Sequence, residues 1–297
     1  MPSADPEILK KYLKAGAVAK EAREFGASKL KPGMSSLELV NAVENLIRER
    51  GALCAFPVNI GVNEVAAHYT PSRDDDIRFK EGDVVKIDVG AHVDGYPADT
   101  SVTVEVATHK HTDLIRCADD ALKMCIEMVA PGTSLSAIGG AVSRTIRSAG
   151  FKPIENLTGH SMERYNLHAG LSIPNVEVRD KSVVAEGMVL AIEPFSTTGA
   201  GKVVGRGRGS IYRITRDRKA SPEIESLFSK IKDRFGPFPF AGRWCEDLDP
   251  NASVLVPKMF RMGMIMSYPI LAEVAGGIVA QSEHSVLVTS NGCKVLT

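Results

Sequence analysis

The sequence contains the stretch EGDVVKID at residues 81–88 and a closely related stretch, EGMVLAIE, at residues 186–193. Both copies end in a carboxylate, which is Asp88 in the first and Glu193 in the second. Two further pairs flank them: residues 31–35 (KPGMS) resemble residues 130–134 (APGTS), and residues 99–104 (DTSVTV) resemble residues 283–288 (EHSVLV). The repeats predict one chain built from two similar halves.

Each half supplies two carboxylates on predicted strands, Asp88 and Asp99 in the first half and Glu193 and Glu283 in the second. Two similar halves indicate one shared site at a pseudo-two-fold axis. Four converging carboxylates repel one another strongly unless protons or cations lie between them. The repeat therefore predicts a metal centre.

The composition is that of an ordinary globular protein, with 44% hydrophobic and 24% charged residues among 297. Lys+Arg and Asp+Glu both number 36, so no global field attracts nucleic acid or an anionic membrane. The basic segment 202–218 is interpreted as a solvated loop or strand pair. No apolar run is long enough for a membrane span, and no leader opens the chain. We therefore expect a cytoplasmic protein without a membrane or specific nucleic-acid partner, and we predict a monomer.

The cysteines are scattered, odd in number and without a CxxC pair. This pattern favours buried thiols of a cytosolic protein, although one disulfide stays open as an alternative. The five positions are Cys54, Cys117, Cys125, Cys245 and Cys293.

Two helices are predicted in each half. Apolar residues at helical spacing predict the first over residues 6–26, with Pro6 in its first turn. Ser35 or Ser36 caps a second helix that ends at Gly51. The second half repeats this design with helices over residues 113–128 and between Ser134 and Gly150.

A hairpin is predicted between residues 83 and 106, because apolar residues alternate on both sides of the turn signal Asp94-Gly95. Asp88 and Asp99 then point to the same face. A turn centred at 93–94 places them directly opposite, and one centred at 94–95 makes them diagonal neighbours. Like charges in either arrangement are destabilising, which favours a cation site.

The second half contains an insertion. The two carboxylates are 11 residues apart in the first copy and 90 apart in the second, so about 79 residues are added. A helical run at 222–235 predicts a small helical subdomain over about 200–275. The chain is then one catalytic domain over 1–297, with a first half of about 1–106 and a second half of about 107–199 plus 276–297.

Histidines accompany the carboxylates. His68 and His168 precede the ligand-bearing strands at an offset of 100, whereas the counterpart of His160 at that offset is Ile60. Carboxylates with one imidazole suit divalent cations such as Mn, Co, Fe or Zn, and the set contains no thiolate. The remaining histidines, including His284 beside Glu283, receive no role.

Together these residues resemble the methionine aminopeptidases, type II and in the archaeal form, within the pita-bread superfamily. The resemblance covers essentially the whole chain. It is carried by 67–70 (AHYT), the Asp88 to Asp99 hairpin, 159–161 (GHS) with 167–168 (LH), 192–194 (IEP) and 282–284 (SEH). It implies an α/β (α+β) fold in which helices of two pseudo-symmetric halves pack on a curved antiparallel sheet, with a small helical insertion.

The resemblance also implies the site residues. Two divalent cations would be held by five ligands: Asp88, Asp99, His160, Glu193 and Glu283. Glu193 would also transfer protons, and His68 and His168 would bind substrate beside the metals and take part in catalysis. Phe56, Leu167 and Tyr268 match positions that line a methionine pocket. The implied activity removes the N-terminal methionine of peptides and nascent proteins, with a preference for a small second residue.

Two other functions stay open. A proline-specific peptidase of the same fold would share the metal ligands, but such enzymes usually carry an extra N-terminal domain. A non-catalytic relative that binds protein or nucleic acid would have lost metal ligands, and all five stand in this sequence.

Overall fold

The computed structural model describes residues 5–297 and shows two helices followed by five strands in the first half. Asp5 caps the first helix by accepting from the backbone of Glu7 at 2.9 Å, and Pro6 occupies its first turn, where no N–H is needed. The elements are α1 (Pro6–Lys29), α2 (Ser36–Glu49), β1 (Leu53–Cys54), β2 (Asn59–Val62), β3 (Val65–Ala67), β4 (Val84–Val93) and β5 (Tyr96–Glu105).

The second half begins in the same way and is then interrupted by the insertion. Its first elements are α3 (Thr112–Met128), α4 (Leu135–Ser148), β6 (Lys152–Pro153), β7 (Thr158–Met162), β8 (Ser172–Pro174), β9 (Val189–Ile192) and β10 (Phe195–Thr197). The insertion contains β11 (Val203–Ile214), α5 (Pro222–Phe235), β12 (Phe240–Ala241), α6 (Gly242–Cys245), α7 (Ala252–Arg261) and β13 (Ile265–Glu273). The second half closes with β14 (Val279–Gln281), β15 (His284–Thr289) and β16 (Gly292–Val295).

The pseudo-symmetry predicted from the repeats is confirmed. Glycines at matching positions all adopt positive φ, a conformation open to glycine without steric cost. The isolated β-bridge between Ser35 and Arg78 in the first half has a counterpart in the second half, between Ser134 and Val183. The paired glycines are Gly33 with Gly132, Gly51 with Gly150, and Gly82 with Gly187.

Long antiparallel strands form the centre of each half. In the first half, β4 pairs with β5 on one edge and with β1 and β2 on the other. In the second half, β9 lies between β15 and β7. Separate apolar clusters lie under the helices of the first half, under those of the second half and within the insertion. The sheets are curved, and the fold is the mixed α/β arrangement that the sequence predicted.

The predicted helices all form, and their bounds lie within a few residues of the predictions. The insertion contains three helices and also a long ribbon of β11 and β13. Segment 202–218, interpreted as a loop or strand pair, forms the strand β11, but its distant partner β13 was not predicted. All five cysteines are free thiols, so the alternative of a disulfide is not realised. Within residues 5–297, no helix combines the length and apolarity needed to cross a membrane.

Glu273 connects the two ends of the insertion through hydrogen bonds. Its buried carboxylate accepts hydrogen bonds from backbone N–H groups on both ends: Gly201 at 3.1 Å, Ala275 at 2.7 Å, Gly277 at 2.9 Å, and also Ala200. Burial alone would raise the pKa of Glu273, but these four N–H groups together lower it.

A second buried network ties the insertion to the first half. Arg243 on α6 donates to the Glu44 carboxylate on α2, and the Trp244 indole donates to the same carboxylate at 2.7 Å. Arg243 also donates to the Thr70 hydroxyl at 2.8 Å and to the Pro71 carbonyl at 3.0 Å. The insertion therefore holds the chain segment that follows His68.

We expect Glu273→Gln to lower the free energy of unfolding by about 2–3 kcal/mol, because a neutral amide replaces a charged acceptor of several buried N–H groups. Since the folded-state pKa lies below the ordinary 4.5, the carboxylate stabilises the fold above that pH. That contribution is lost as the pH falls through the folded value, so the difference between the variants should shrink in acid. Urea unfolding measures it, with exposed Glu127→Gln as the matched control. Equal stability of Glu273→Gln and wild type at neutral pH would contradict this role.

Candidate metal centre and substrate cavity

The hairpin of β4 and β5 brings Asp88 and Asp99 to one face. Its turn is centred on Asp94-Gly95, both with positive φ, so Asp88 pairs with Ser101 and Gly90 pairs with Asp99. The two aspartates are therefore diagonal neighbours, which is the second of the two registers considered from the sequence. The hairpin delivers both carboxylates side by side.

The two halves meet where β5 carries Asp99 and where Glu283 directly precedes β15. Ser101 and Glu283 form a bridge in which each N–H donates to the other carbonyl at 3.4 Å. The pair related to it by the pseudo-symmetry is Asp99 and Ser285. The Ser285 hydroxyl accepts from the Asp99 N–H and donates to the Asp99 carbonyl, each at 2.8 Å. The pseudo-two-fold axis passes between these pairs, so Asp99 and Glu283 occupy equivalent positions at the centre.

Glu193 and His160 complete the cluster from the second half. Glu193 directly follows β9, and His160 pairs with Ala191 of that strand. His160 Nε2 lies 3.5 Å from an Asp99 oxygen and 3.8 Å from a Glu193 oxygen. The register makes Gly61, rather than the predicted Ile60, the counterpart of His160, because Gly61 pairs with Lys86 of β4. Neither residue is a histidine, so the first half supplies no equivalent imidazole.

Several polar atoms of this cluster lack protein partners. Ligand atoms of Asp99, His160 and Glu283 lie within 4.8 Å of one another, and all three side chains are buried. Within residues 5–297, Oδ1 of Asp88, Oδ1 of Asp99 and Nδ1 of His160 are buried without a hydrogen bond. Buried polar atoms are normally paired, so this set fits a cation.

Electrostatics gives the same indication. Burial raises the pKa of Asp88, and the charge of Asp99 raises it further. Burial raises the pKa of Asp99 to about 7 although its hydrogen bond to Asp88 lowers it. The pKa values of Glu193 and Glu283 are raised by burial and then by the neighbouring carboxylates. A divalent cation would remove this penalty, since it stabilises the ionised forms.

Gln281 is a polar neighbour that the sequence analysis missed. Its amide Nε2 donates to Glu193 at 3.3 Å and to Glu283 at 3.4 Å, so it links the two carboxylates. At the offset that relates Asp99 to Glu283, Gln281 corresponds to Pro97, and the repeat therefore gave no signal for it.

A buried hydrogen-bond network holds the backbone of Glu283. Arg23 of α1 donates to the Thr100 hydroxyl, which donates to the Glu283 carbonyl at 2.8 Å. His284 Nδ1 lies 3.2 Å from Arg23 and 2.9 Å from the Thr297 hydroxyl. His284 thus lies in the supporting core and not in the carboxylate cluster.

His68 and His168 both lie beside the cluster. The His168 ring packs on the His160 ring with centroids 4.2 Å apart, and the His68 ring packs edge-on against Tyr268 at 5.3 Å. His68 has φ +65°, an uncommon conformation for a residue with a side chain, which often marks a functional position. Burial lowers the pKa of each histidine to about 4, so both are neutral near pH 7 and can donate one N–H.

All ten residues singled out from the sequence line one cavity of about 240 Å³. Phe56 and Leu167 form a buried apolar wall, and half-buried Tyr268 reaches the cavity from the insertion. Gly90 makes room for Phe56, since a Cβ at Gly90 would lie 2.2 Å from that ring. The wall also includes Ala67 of the stretch 67–70 and residues without a sequence signal, namely Asn59, Asn156, Leu157, Thr158, Phe195, Ile211 and Pro239.

The geometry agrees with relatives of known family. The profile described as metallopeptidase family M24 matches residues 10–290. The methionine aminopeptidase of Archaeoglobus fulgidus is 42% identical over 294 residues, which is 99% of this chain and 99% of that protein. This coverage extends through both halves and the insertion.

Solved structures show the same fold. The methionine aminopeptidase of Thermotoga maritima superposes on this chain with a TM-score of 0.72 at 25% sequence identity. The superposition covers 99% of this chain and 97% of the Thermotoga chain. A thermophilic Arx1 superposes with a TM-score of 0.85 at 20% identity, covering 98% of this chain and 91% of its own. Because the sequence identity to Arx1 is only 20%, this structural similarity shows the shared fold and nothing about function.

We expect Gln281→Leu to weaken divalent-metal binding by about 10- to 100-fold, the usual effect of removing a hydrogen-bond partner of metal ligands. The leucine fills similar space but leaves Glu193 and Glu283 without the shared amide donor. Calorimetric titration of metal-stripped protein with Mn²⁺ or Co²⁺ measures the change, and thermal unfolding checks that the fold persists. Wild-type affinity in a folded Gln281→Leu variant would show that the amide has no such role.

Proposed function

Because the chain belongs to metallopeptidase family M24, we propose that it hydrolyses the first peptide bond of peptides and nascent proteins that begin with methionine. The observation that carries this proposal is the single cavity that holds a buried carboxylate cluster beside an apolar wall. The carboxylate cluster would perform metal-dependent hydrolysis, and the apolar wall would select the side chain of the substrate's first residue. The cavity draws residues from both halves and the insertion, which supports one catalytic domain over the whole chain.

We propose that Asp88, Asp99, His160, Glu193 and Glu283 hold two divalent cations. Oxygen ligands with one imidazole suit Mn²⁺, Co²⁺, Fe²⁺ or Zn²⁺. The buried unpaired atoms of this set support the assignment. When bound, such cations polarise a carbonyl oxygen and bring the pKa of a water toward neutrality.

Glu193 is the proposed general base. It accepts a proton from the attacking water and passes it to the departing amine. Glu193 lines the substrate cavity, so its carboxylate lies where the attacking water would be held. The Gln281 amide, which donates to the Glu193 carboxylate, orients it.

His68 and His168 are the proposed hydrogen-bond donors to the reacting amide. Their neutral rings can donate an N–H to the carbonyl oxygen, where negative charge develops in the tetrahedral intermediate. The Arg243 bond to Thr70 holds the segment after His68, and the contact with His160 holds His168.

Phe56, Leu167 and Tyr268 are proposed to surround the methionine side chain. Such a pocket discriminates by burial and shape, so it accepts unbranched apolar side chains. The substrate's second residue would then lie beside the histidines, which favours small residues such as Gly, Ala or Ser. A cytoplasmic, monomeric protein remains our prediction.

A proline-specific peptidase and a non-catalytic relative are not favoured. The archaeal relative that matches 99% of the chain is a methionine aminopeptidase, and the carboxylate cluster is complete. Comparison of Met-Ala-Ser with Ala-Pro as substrates separates these alternatives.

The histidine assignments are tested by comparing His168→Ala with His160→Ala. His168→Ala should lower kcat by about 10²-fold or more, the usual loss for a transition-state donor, and should keep the metal content. His160→Ala should instead lose metal, since it removes a ligand. Elemental analysis with steady-state kinetics on Met-Ala-Ser measures both, and the reverse pattern would exchange the two assignments.

The pocket assignment predicts the substrate range. Norleucine in place of methionine should be cleaved well, because a change of one methylene alters transition-state binding by only about 1–3 kcal/mol. Leucine should be cleaved more slowly because of its branch. The measurement is kcat/KM for X-Ala-Ser peptides, with and without a chelator. Equal values for Met, Leu and Lys at the first position would identify a general aminopeptidase.

A further inference from the structure

The ribbon of β11 and β13 carries an arginine to the edge of the substrate cavity. Ile211 of β11 lines the cavity, and Arg213 lies two residues further on the same strand face. On β13, Met266 pairs with Arg213, and Tyr268, which also lines the cavity, shares the face of Met266. The guanidinium Nε of Arg213 lies 3.0 Å from the Met266 sulfur.

The charge of Arg213 reaches a residue of the cavity. Burial raises the pKa of Tyr268, while the charge of Arg213 lowers it. Arg213 is itself exposed, so its guanidinium is open to solvent.

Arg213 has no acidic partner among the residues that the structure describes. Two other cations of the basic segment do have acidic partners, with Arg206 lying 3.6 Å from Glu64 and Lys202 lying 3.8 Å from Glu155. The contact of Arg213 is a thioether, a weak acceptor, so most of its five N–H donors remain available.

We propose that Arg213 binds a carboxylate of the substrate beyond the scissile bond and makes the enzyme favour peptides that carry one there. This inference rests on the proposed function, which places the methionine side chain against Phe56, Leu167 and Tyr268. The remainder of the peptide then leaves toward solvent and passes Arg213. A planar guanidinium matches a carboxylate with two parallel hydrogen bonds.

A polyanion such as RNA fits this surface less well, because it requires several unpaired cations side by side. Lys202 and Arg206 of the segment contact glutamates, and Arg208 lies over the Phe260 ring at 4.2 Å. Arg216 donates to the Gly263 carbonyl, and Arg218 lies beside a different cavity. A single available arginine beside a peptide cavity suits one carboxylate.

The experiment compares Met-Ala-Glu-amide with Met-Ala-Gln-amide for the wild type and for Arg213→Gln. The wild type should cleave the glutamate peptide with a kcat/KM about two- to fivefold higher, as expected for an exposed ion pair. The preference should disappear in Arg213→Gln. A second arm compares Met-Ala-Gln as free acid and as amide, which distinguishes a chain-terminal carboxylate from a side-chain carboxylate.

Two variants control the experiment. Arg213→Lys keeps the charge and should keep part of the preference. Arg218→Gln removes the same charge from an exposed position that lies beside a different cavity on the insertion, and it should leave the ratio unchanged. Raising the salt to about 1 M, where the Debye length is about 3 Å, should reduce the wild-type preference.

The proposal is overturned if the wild type shows no preference for a carboxylate in either arm, or if Arg213→Gln keeps that preference. These outcomes differ from failure of the proposed function, in which no methionine peptide is cleaved at all. Equal loss of the preference in Arg218→Gln would also overturn it, because the effect would then reflect general surface charge.

Discussion

The repulsion among four buried carboxylates is the constraint on which the rest of the structure depends. Burial raises the pKa of Asp88, Asp99, Glu193 and Glu283, and neighbouring carboxylates raise those of Asp88, Glu193 and Glu283 further. No arrangement of this kind is stable in a core unless protons or cations compensate it. The family membership of the chain implies a divalent metal, and the unpaired ligand atoms fit one.

The duplication explains how the fold holds these groups together. Equivalent strands of the two halves meet at the axis, so that Asp99 and Glu283 face one centre while Ser101 and Ser285 bond across it. Exact symmetry would give both halves the same ligands, whereas the proposed site contains an imidazole from one half only. His160 supplies that asymmetry, because the position that matches it in the first half is Gly61.

The insertion converts the metal centre into a substrate cavity. It contributes Tyr268 and Ile211 to the wall, and its attachment depends on buried charges with many partners. Glu273 holds both of its ends, and Arg243 connects it to the segment after His68. Because the polar groups in these junctions are buried and paired, they fix the position of the insertion more sharply than apolar contact alone would.

The sequence by itself determined the two halves, the four helices, the hairpin and the carboxylates, because repeats and hydrophobic periodicity are local properties of the chain. It left two registers open for Asp88 and Asp99, it gave no sign of Gln281 or Asn59, and it did not identify β13 as the partner of β11. Those features arise between segments far apart in sequence, where strand register and docking decide which side chains meet. Family resemblance, and not local pattern, placed Phe56, Leu167 and Tyr268 at one pocket. Only the tertiary structure placed Arg213 near that cavity, because its proximity results from packing of the insertion against both halves.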